Sequence, residues 1–501
     1  MALGFSEALL LLTTALFAIL YLTRKKKDSR YPRGPTPLPF IGNVHQIGRT
    51  PLKSFQKWAQ EYGPIYSIKM GSVDTIILND HKLVKELLAD NATAGRSENP
   101  VITAFSKGHG IINVDGPTWE EQRRFTIRKL RDIGLLKSTI ESKILEEVKS
   151  LLNVFERNVG KPMSENRMFN GAVVNTLWAI VSGERHEWDA PVEPEILKKT
   201  DELITAVSRI ALTGLIFAPV MRHIVPKWSG WTDWTNSILN LKKVVDVTVV
   251  SHTEKHDPNN PNDFIDHFLA QIKNEDDPSS SFYKENGAAN LFAVVTDLFV
   301  AGSETSANTI TWAMLQLSQN LEAQIKMQKE LDRILGAPGD GSRLPSLSDR
   351  PSLPYIDAVI SEVLRISPVL ALGAPHKMLQ DMEFKGYFFP KGANMWVNIY
   401  SIHHDASIWG EDVEKFRPER FLSEDGTQVI RHEALLPFGT GRRVCIGETL
   451  AKDTIFLFLA SIFHKFIVEP YPSCVKADME PVIGFLLRTK PFKVVVRNRG
   501  K

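Results

Sequence analysis

The sequence predicts a mainly helical protein with small β elements near both ends, preceded by one N-terminal membrane-spanning helix. Three observations predict it. An uncharged apolar run opens the chain, helix-period sequence fills its middle, and strand-like patterns are confined to short flanking segments. The composition, 43% hydrophobic and 24% charged over 501 residues, is that of a globular protein with a large core. A net charge of +2 lacks the basic excess that a nucleic-acid partner requires. Two cysteines, Cys445 and Cys474, cannot build a disulfide framework, which places the folded part in a reducing compartment.

The elements follow in chain order. Ala8 to Thr23 carries no charge, and extension back to Met1 adds only Glu7, enough for a span of about 20 residues. The basic cluster Arg24 to Lys27 follows the run, and no small-residue cleavage site is evident, so the pattern is that of an anchor and not of a cleaved signal. The positive-inside rule puts the N-terminus in the lumen and the remainder in the cytosol. Tyr31 to Asn43 contains Pro32, Pro35, Pro37 and Pro39, which fix φ and remove donors, so this stretch reads as a stiff, extended lead-out. Ile65 to Met70 and Val73 to Leu78 read as strands, the second followed by a helix starting at Asp80. From about Trp119 to residue 330 the pattern is helical, interrupted at 257–262 and 276–281. Strands return around Phe384 to Val397 and Phe492 to Val496. The expected boundaries are an anchor at 1–23, a basic and proline-rich linker at 24–43 and one large folded domain at 44–501.

Chemistry concentrates at residues 437–447, PFGTGRRVCIG, where a rare cysteine sits among glycines and arginines. A thiolate needs positive charge or donated hydrogen bonds, and glycines let backbone N–H groups approach it. Arg442 and Arg443 offer the charge, and a helix begins directly after Gly447. Such a thiolate suits a nucleophile or a metal ligand. A phosphate loop lacks its lysine and hydroxyl, a zinc site lacks a second cysteine pair, and a catalytic cysteine lacks an assignable histidine.

The spacing Phe438-x-x-Gly441-x-Arg443-x-Cys445-x-Gly447 resembles the haem-binding loop of the cytochrome P-450 family. There the cysteine thiolate is the axial ligand of haem iron. Further segments resemble the family in its order. Ala301-Gly-Ser-Glu304-Thr305, inside the apolar helix Leu291 to Leu317, is similar to the oxygen-binding kink; taken alone it reads as a threonine bonded back to its own helix. Glu362-x-x-Arg365 and Arg420 resemble the buried structural triad; alone, the first two read as a surface pair. Trp119-x-x-x-Arg123 and His376 resemble haem-propionate contacts, a role the resemblance also extends to Arg443.

The resemblance covers nearly the whole chain, on the microsomal family-2-like side. It implies the family's fold, haem b (iron protoporphyrin IX), and insertion of one oxygen atom from O2 into a small hydrophobic substrate (xenobiotic, steroid, fatty acid or terpenoid). Glu304 and Thr305 would relay protons, and Ala301 would adjoin the haem. NADPH-cytochrome P-450 reductase would supply electrons, with cytochrome b5 as an additional partner, at the cytosolic face of the endoplasmic reticulum. The basic helix Arg123 to Arg131 offers that reductase a docking face. Substrate contacts are expected from Phe105, His109, Ile111, Asp297, Val369, Leu370 and Phe485, with Asp297 and His109 as polar anchors. Apolar residues 210–220 suit either the lipid surface or a core helix. A reductase-independent peroxide-rearranging isomerase and a non-catalytic haem scaffold are the alternatives; retention of Glu304 and Thr305 disfavours the former.

Overall fold

The computed structural model describes residues 28–500, apart from 49, 72, 100, 102, 104–105, 135–137, 166–167, 190–192, 216, 256–260, 340–341 and 474–475. The expected anchor at 1–23, Phe105 and Cys474 lie outside the described residues. Among those described, no helix is long and apolar enough to cross a membrane.

Twelve described helices have eight or more residues: α1 (Pro51–Tyr62), α2 (His81–Leu88), α3 (Gly116–Ile133), α4 (Ser138–Arg157), α5 (Asn170–Val181), α6 (Glu195–Thr213), α7 (Trp231–Lys255), α8 (Phe264–Lys273), α9 (Lys284–Gln319), α10 (Leu321–Leu335), α11 (Pro354–Ile366) and α12 (Glu448–Lys465). The strands are β1 (Ile65–Met70), β2 (Val73–Leu78), β3 (Pro162–Ser164), β4 (His376–Lys377), β5 (Met382–Phe384), β6 (Tyr387–Phe389), β7 (Asn394–Val397), β8 (Phe466–Pro470) and β9 (Lys493–Asn498). They form sheets of order β1-β2-β7-β4, β3-β9-β8 and β5-β6.

The main core surrounds α9, which is apolar on almost every side and therefore buried on almost every side. Leu291, Phe299, Ile310 and Leu315 of α9 share one cluster with Trp178 of α5, Ile356 and Val363 of α11, and Phe456 to Phe463 of α12. Gly302 belongs to this packing: a Cβ there would stand 3.0 Å from Leu177 Cδ1, so the glycine lets α5 approach.

A second cluster joins the four-stranded sheet to α2 through Ile76, Leu78, Val84, Leu87 and Met395. β2 pairs with β1 antiparallel and with β7 in parallel, and its last four residues are buried, which explains a run of Ile-Ile-Leu in place of alternation. Asp80 starts α2 by accepting the N–H groups of Lys82 and Leu83 at 2.9 and 2.8 Å. Residues 31–43 lie along the free edge of β1. Ser67 donates its N–H to Arg33 O at 2.9 Å and its hydroxyl to Pro32 O at 2.7 Å, which covers an edge otherwise open to another chain.

Two strand expectations change. The stretch around 384–397 resolves into the β5–β6 hairpin, turned at Lys385 and Gly386 with positive φ, and a separate β7. β3 interrupts the expected helical middle. It is a three-residue strand whose partner β9 is some 330 residues away, too short for any period to register.

Candidate active site

The loop from Phe438 to Gly447 closes when Cys445 donates its N–H to Phe438 O at 3.0 Å. Gly441, at φ 74°, passes so near α2 that a Cβ would meet Leu88 O at 2.0 Å. Gly447 caps α12, and the N–H groups of Gly447 and Glu448 are directed at the sulfur. Cys445 is exposed as a residue, while the protein crowded around its sulfur pushes the thiol pKa up; those two N–H groups and Arg123 pull it down.

The source of that charge differs from the sequence reading. Arg442 is at the surface, 3.7 Å from Glu120. Arg443 is buried and donates to the carbonyls of Ala94, Ile111 and Val114 at 2.8, 3.2 and 2.6 Å, its guanidinium 3.8 Å above the Trp119 ring. It is a strut of the site, and the cation acting on the thiol is Arg123, held by a 2.6 Å bond to Val444 O.

Arg96, which sequence reasoning missed, completes a cluster of cations. Its Nε donates to Ile112 O at 3.0 Å and a terminal nitrogen to Pro375 O at 2.5 Å. Nothing in the pattern around Ala94-Gly-Arg96 marks it. The residue is brought in by the pairing of Gly95 with Lys377, beside β4. Burial and then Arg123 lower Arg96 to about 10; burial and then Arg96 lower Arg443 to about 8; burial chiefly lowers Arg123. His376 donates its Nδ1–H to Thr93 O at 2.9 Å, and burial followed by Arg96 holds it neutral, down to about 3. The indole N–H of Trp119 is buried without a hydrogen-bond partner. Mutually repelling guanidiniums, that of Arg443 buried and those of Arg96 and Arg123 partly so, and an orphaned donor are costly by themselves and suit a bound anion.

On α9, Ala301 is exposed although Phe299 and Ser303 beside it are buried. The Thr305 hydroxyl donates to Ala301 O at 2.6 Å, and α9 continues unbroken through the expected kink. Glu304, largely buried, is in close ion-pair contact with Arg488. Two turns before Glu304, Asp297 Oδ2 accepts the N–H groups of Ile111 and Ile112 at 2.7 and 2.9 Å. Asp297 therefore ties the 109–112 loop to α9 with the oxygen expected to meet substrate, and burial pushes its pKa up to about 7. His109 Nε2 is 3.1 Å from Asn286 Oδ1. The chain of contacts Cys445 loop, Arg443, Ile111, Asp297 thus joins the thiol loop to the Ala301–Thr305 face.

Val369 and Leu370 precede a turn that Leu487 joins by donating its N–H to Val369 O at 2.8 Å; Phe485 is exposed nearby in sequence. Glu362 and Arg365, both fully buried, pair through two bonds of 2.7 and 2.8 Å, and Arg420 Nε lies 3.3 Å from Glu362 Oε1. Arg365 also donates to His403 O, and the His403 ring accepts the N–H of Leu436 at 2.9 Å. This network ends at the start of the cysteine loop. Ile210 and Leu215 belong to a buried cluster, and the exposed apolar surface begins later, at Val220, Ile224 and Trp228.

Comparison with known proteins supplies a family. The family model for cytochrome P-450 matches residues 32–496. Farnesoate epoxidase of Bombyx mori is 33% identical over 98% of both chains. Cytochrome P-450 2F3 of Capra hircus is 32% identical over 99% of both. Cytochrome P-450 2K1 of Oncorhynchus mykiss is 33% identical over 99% of this chain and 98% of its own. With an exposed cysteine in a loop of donated N–H groups and a match along nearly its whole length, the chain belongs to the cytochrome P-450 family and is a cytochrome P-450 monooxygenase.

Proposed function

We propose that the protein inserts one oxygen atom from O2 into a small hydrophobic substrate (xenobiotic, steroid, fatty acid or terpenoid), using electrons from NADPH delivered by NADPH-cytochrome P-450 reductase. The observation that carries this reading is the pairing of Cys445, ringed by N–H donors, with a cationic cluster holding the orphaned Trp119 indole. Haem b would fit both ends: Cys445 would hold its iron, and Arg96, Trp119, Arg123 and His376 would receive its acidic groups, with Arg443 bracing them. When bound, haem supplies the activation of O2. The protein's own residues do the rest. Phe438 and Gly447 shape the thiolate's surroundings, Ala301 leaves room on α9, and Glu304 and Thr305 move protons there. Ile111, Val369 and Leu370 would line a largely apolar approach that His109 and Phe485 extend, with Phe105 a further expected substrate contact. Glu362, Arg365 and Arg420 hold the frame. The relative from Bombyx mori is named for farnesoate, a molecule within the proposed class.

The microsomal relatives support an endoplasmic-reticulum setting, in which residues 1–23 anchor the chain, 24–43 link, and 44–501 form the catalytic domain. Exposed Leu38, Phe40 and Ile41, together with Val220, Ile224 and Trp228, offer lipid contact. Exposed Arg124, Arg128 and Arg131 on α3 offer the reductase, and cytochrome b5, a basic face.

The test is the carbon monoxide difference spectrum of the dithionite-reduced protein beside Cys445→Ser. The expected result is a strongly red-shifted Soret band that the variant loses. A band like that of histidine-ligated haem, or none, sinks the proposal.

A further inference from the structure

Among the described residues, Glu304 has one cationic partner acting on it, Arg488, which comes from the far end of the chain. Arg488 makes the close contact and also donates to Ser208 Oγ on α6 at 3.1 Å. Its backbone is pinned on both sides: Arg488 and Val482 exchange N–H bonds of 3.1 and 2.8 Å. The carbonyl of neighbouring Leu487 accepts Asn308 Nδ2 at 2.5 Å and Trp312 Nε1 at 3.3 Å, both from α9. The guanidinium is thus mounted on a turn fastened to the same helix that carries Glu304. A surface arginine meeting a carboxylate by chance would lack that mounting.

We propose that Arg488 is a positioning residue for proton delivery: it holds the Glu304 carboxylate in one place and one charge state, so Glu304 takes up a proton only against the pull of the guanidinium. This rests on the reading of Glu304 as a proton carrier. Among the described residues, the charged groups acting on Glu304 are Arg488 from the C-terminal turn and Asp201 from α6. Burial is the larger influence and favours the neutral acid, Asp201 acts in the same direction, and Arg488 alone opposes them. Its removal therefore moves Glu304 toward the protonated form.

The experiment uses the haem-loaded enzyme with its reductase. Infrared difference spectra across pH follow the carboxylic-acid C=O band that Glu304→Gln abolishes. In Arg488→Ala the midpoint of that band is expected to rise by about 1–3 pH units, the usual effect of losing an adjacent opposite charge, and Arg488→Lys is expected to restore most of it. In parallel, with dodecanoic acid as probe, the share of NADPH electrons lost as hydrogen peroxide is measured. Glu304→Gln is expected to raise that share, and Arg488→Ala to shift its pH dependence with the band. If Arg488→Ala does not fold, Arg488→Gln, which removes charge and keeps bulk, carries the same comparison. A midpoint unmoved in a folded charge-removal variant overturns the inference even where Glu304→Gln raises peroxide loss. If Glu304→Gln leaves peroxide loss unchanged, the proton-carrier reading fails and the inference falls with it.

Discussion

Gly441 and Gly439 stand two residues apart in the cysteine loop, both at positive φ, 74° and 70°, and they should respond differently to the same change. A Cβ on Gly439 meets nothing within 4 Å, whereas one on Gly441 would collide with the backbone of Leu88. Gly439→Ala should cost about 1–2 kcal/mol, the strain of a left-handed conformation alone. Gly441→Ala adds a collision with backbone that cannot rotate away, so it should cost clearly more and also reduce haem retention. Thermal melts and the haem-to-protein absorbance ratio of the two variants check this; equal effects would contradict the packing argument. Arg443 teaches a related lesson at this scale. Adjacent to Arg442 and identical in type, it is buried among three carbonyls while its neighbour stays in solvent, because the loop turns one side chain inward and the next outward.

At the scale of elements, α7, α5 and α8 meet at His252. Its Nδ1 is 2.8 Å from Thr248 O; its Nε2 is 3.0 Å from Asp263 Oδ2 and 3.1 Å from Ser182 O. All these partners accept, and only imidazolium can donate from both nitrogens. The hydrogen bond to Asp263 is the leading cause that raises His252 to about 9 from 6.5. A folded-state pKa above the unfolded one means the stabilisation is full below about pH 6.5 and is lost as pH rises through about 9. His252→Gln should therefore lower the melting temperature near neutral pH, and the gap from the parent should close as pH passes 9. A constant gap across that range would mean that packing, not charge, carries the contact. Asp263 also caps α8 by accepting the Asp266 N–H at 2.9 Å, so one carboxylate serves two elements.

For the whole molecule, the buried Glu362 network links α11 to the segment leading into the cysteine loop. Glu362 Oε1 receives Arg365, the Arg417 N–H at 2.9 Å and Arg420. Glu362→Gln keeps the shape and removes the charge, leaving Arg365 buried without its counter-ion. Removing one partner of such a pair costs about 3–5 kcal/mol, so the variant should melt far earlier and retain little haem. A denaturant titration that finds less than about 1 kcal/mol of loss would show that this network is dispensable.

The sequence by itself determined the class of this fold and, through its motifs, the family the chain belongs to. Local signals suffice for these: the apolar envelope of α9, the β-branched runs and the breaks around the strands, and the Phe438 to Gly447 spacing all lie within one element or one loop. Glu362, Arg365 and Arg420 were legible as a motif, yet by spacing alone the first two read as a surface pair, and only packing makes them buried. Tertiary structure alone decided which charges face which. Arg96 enters the site through pairing with Lys377, Arg123 and not Arg442 or Arg443 acts on the thiol, Asp297 is turned to the backbone of Ile111 and Ile112, and Arg488 reaches Glu304 from the other end of the chain. The physical reason is that electrostatic partners act over a few ångströms of space, and a distance of that kind between residues far apart in sequence is set by the folding of the chain between them.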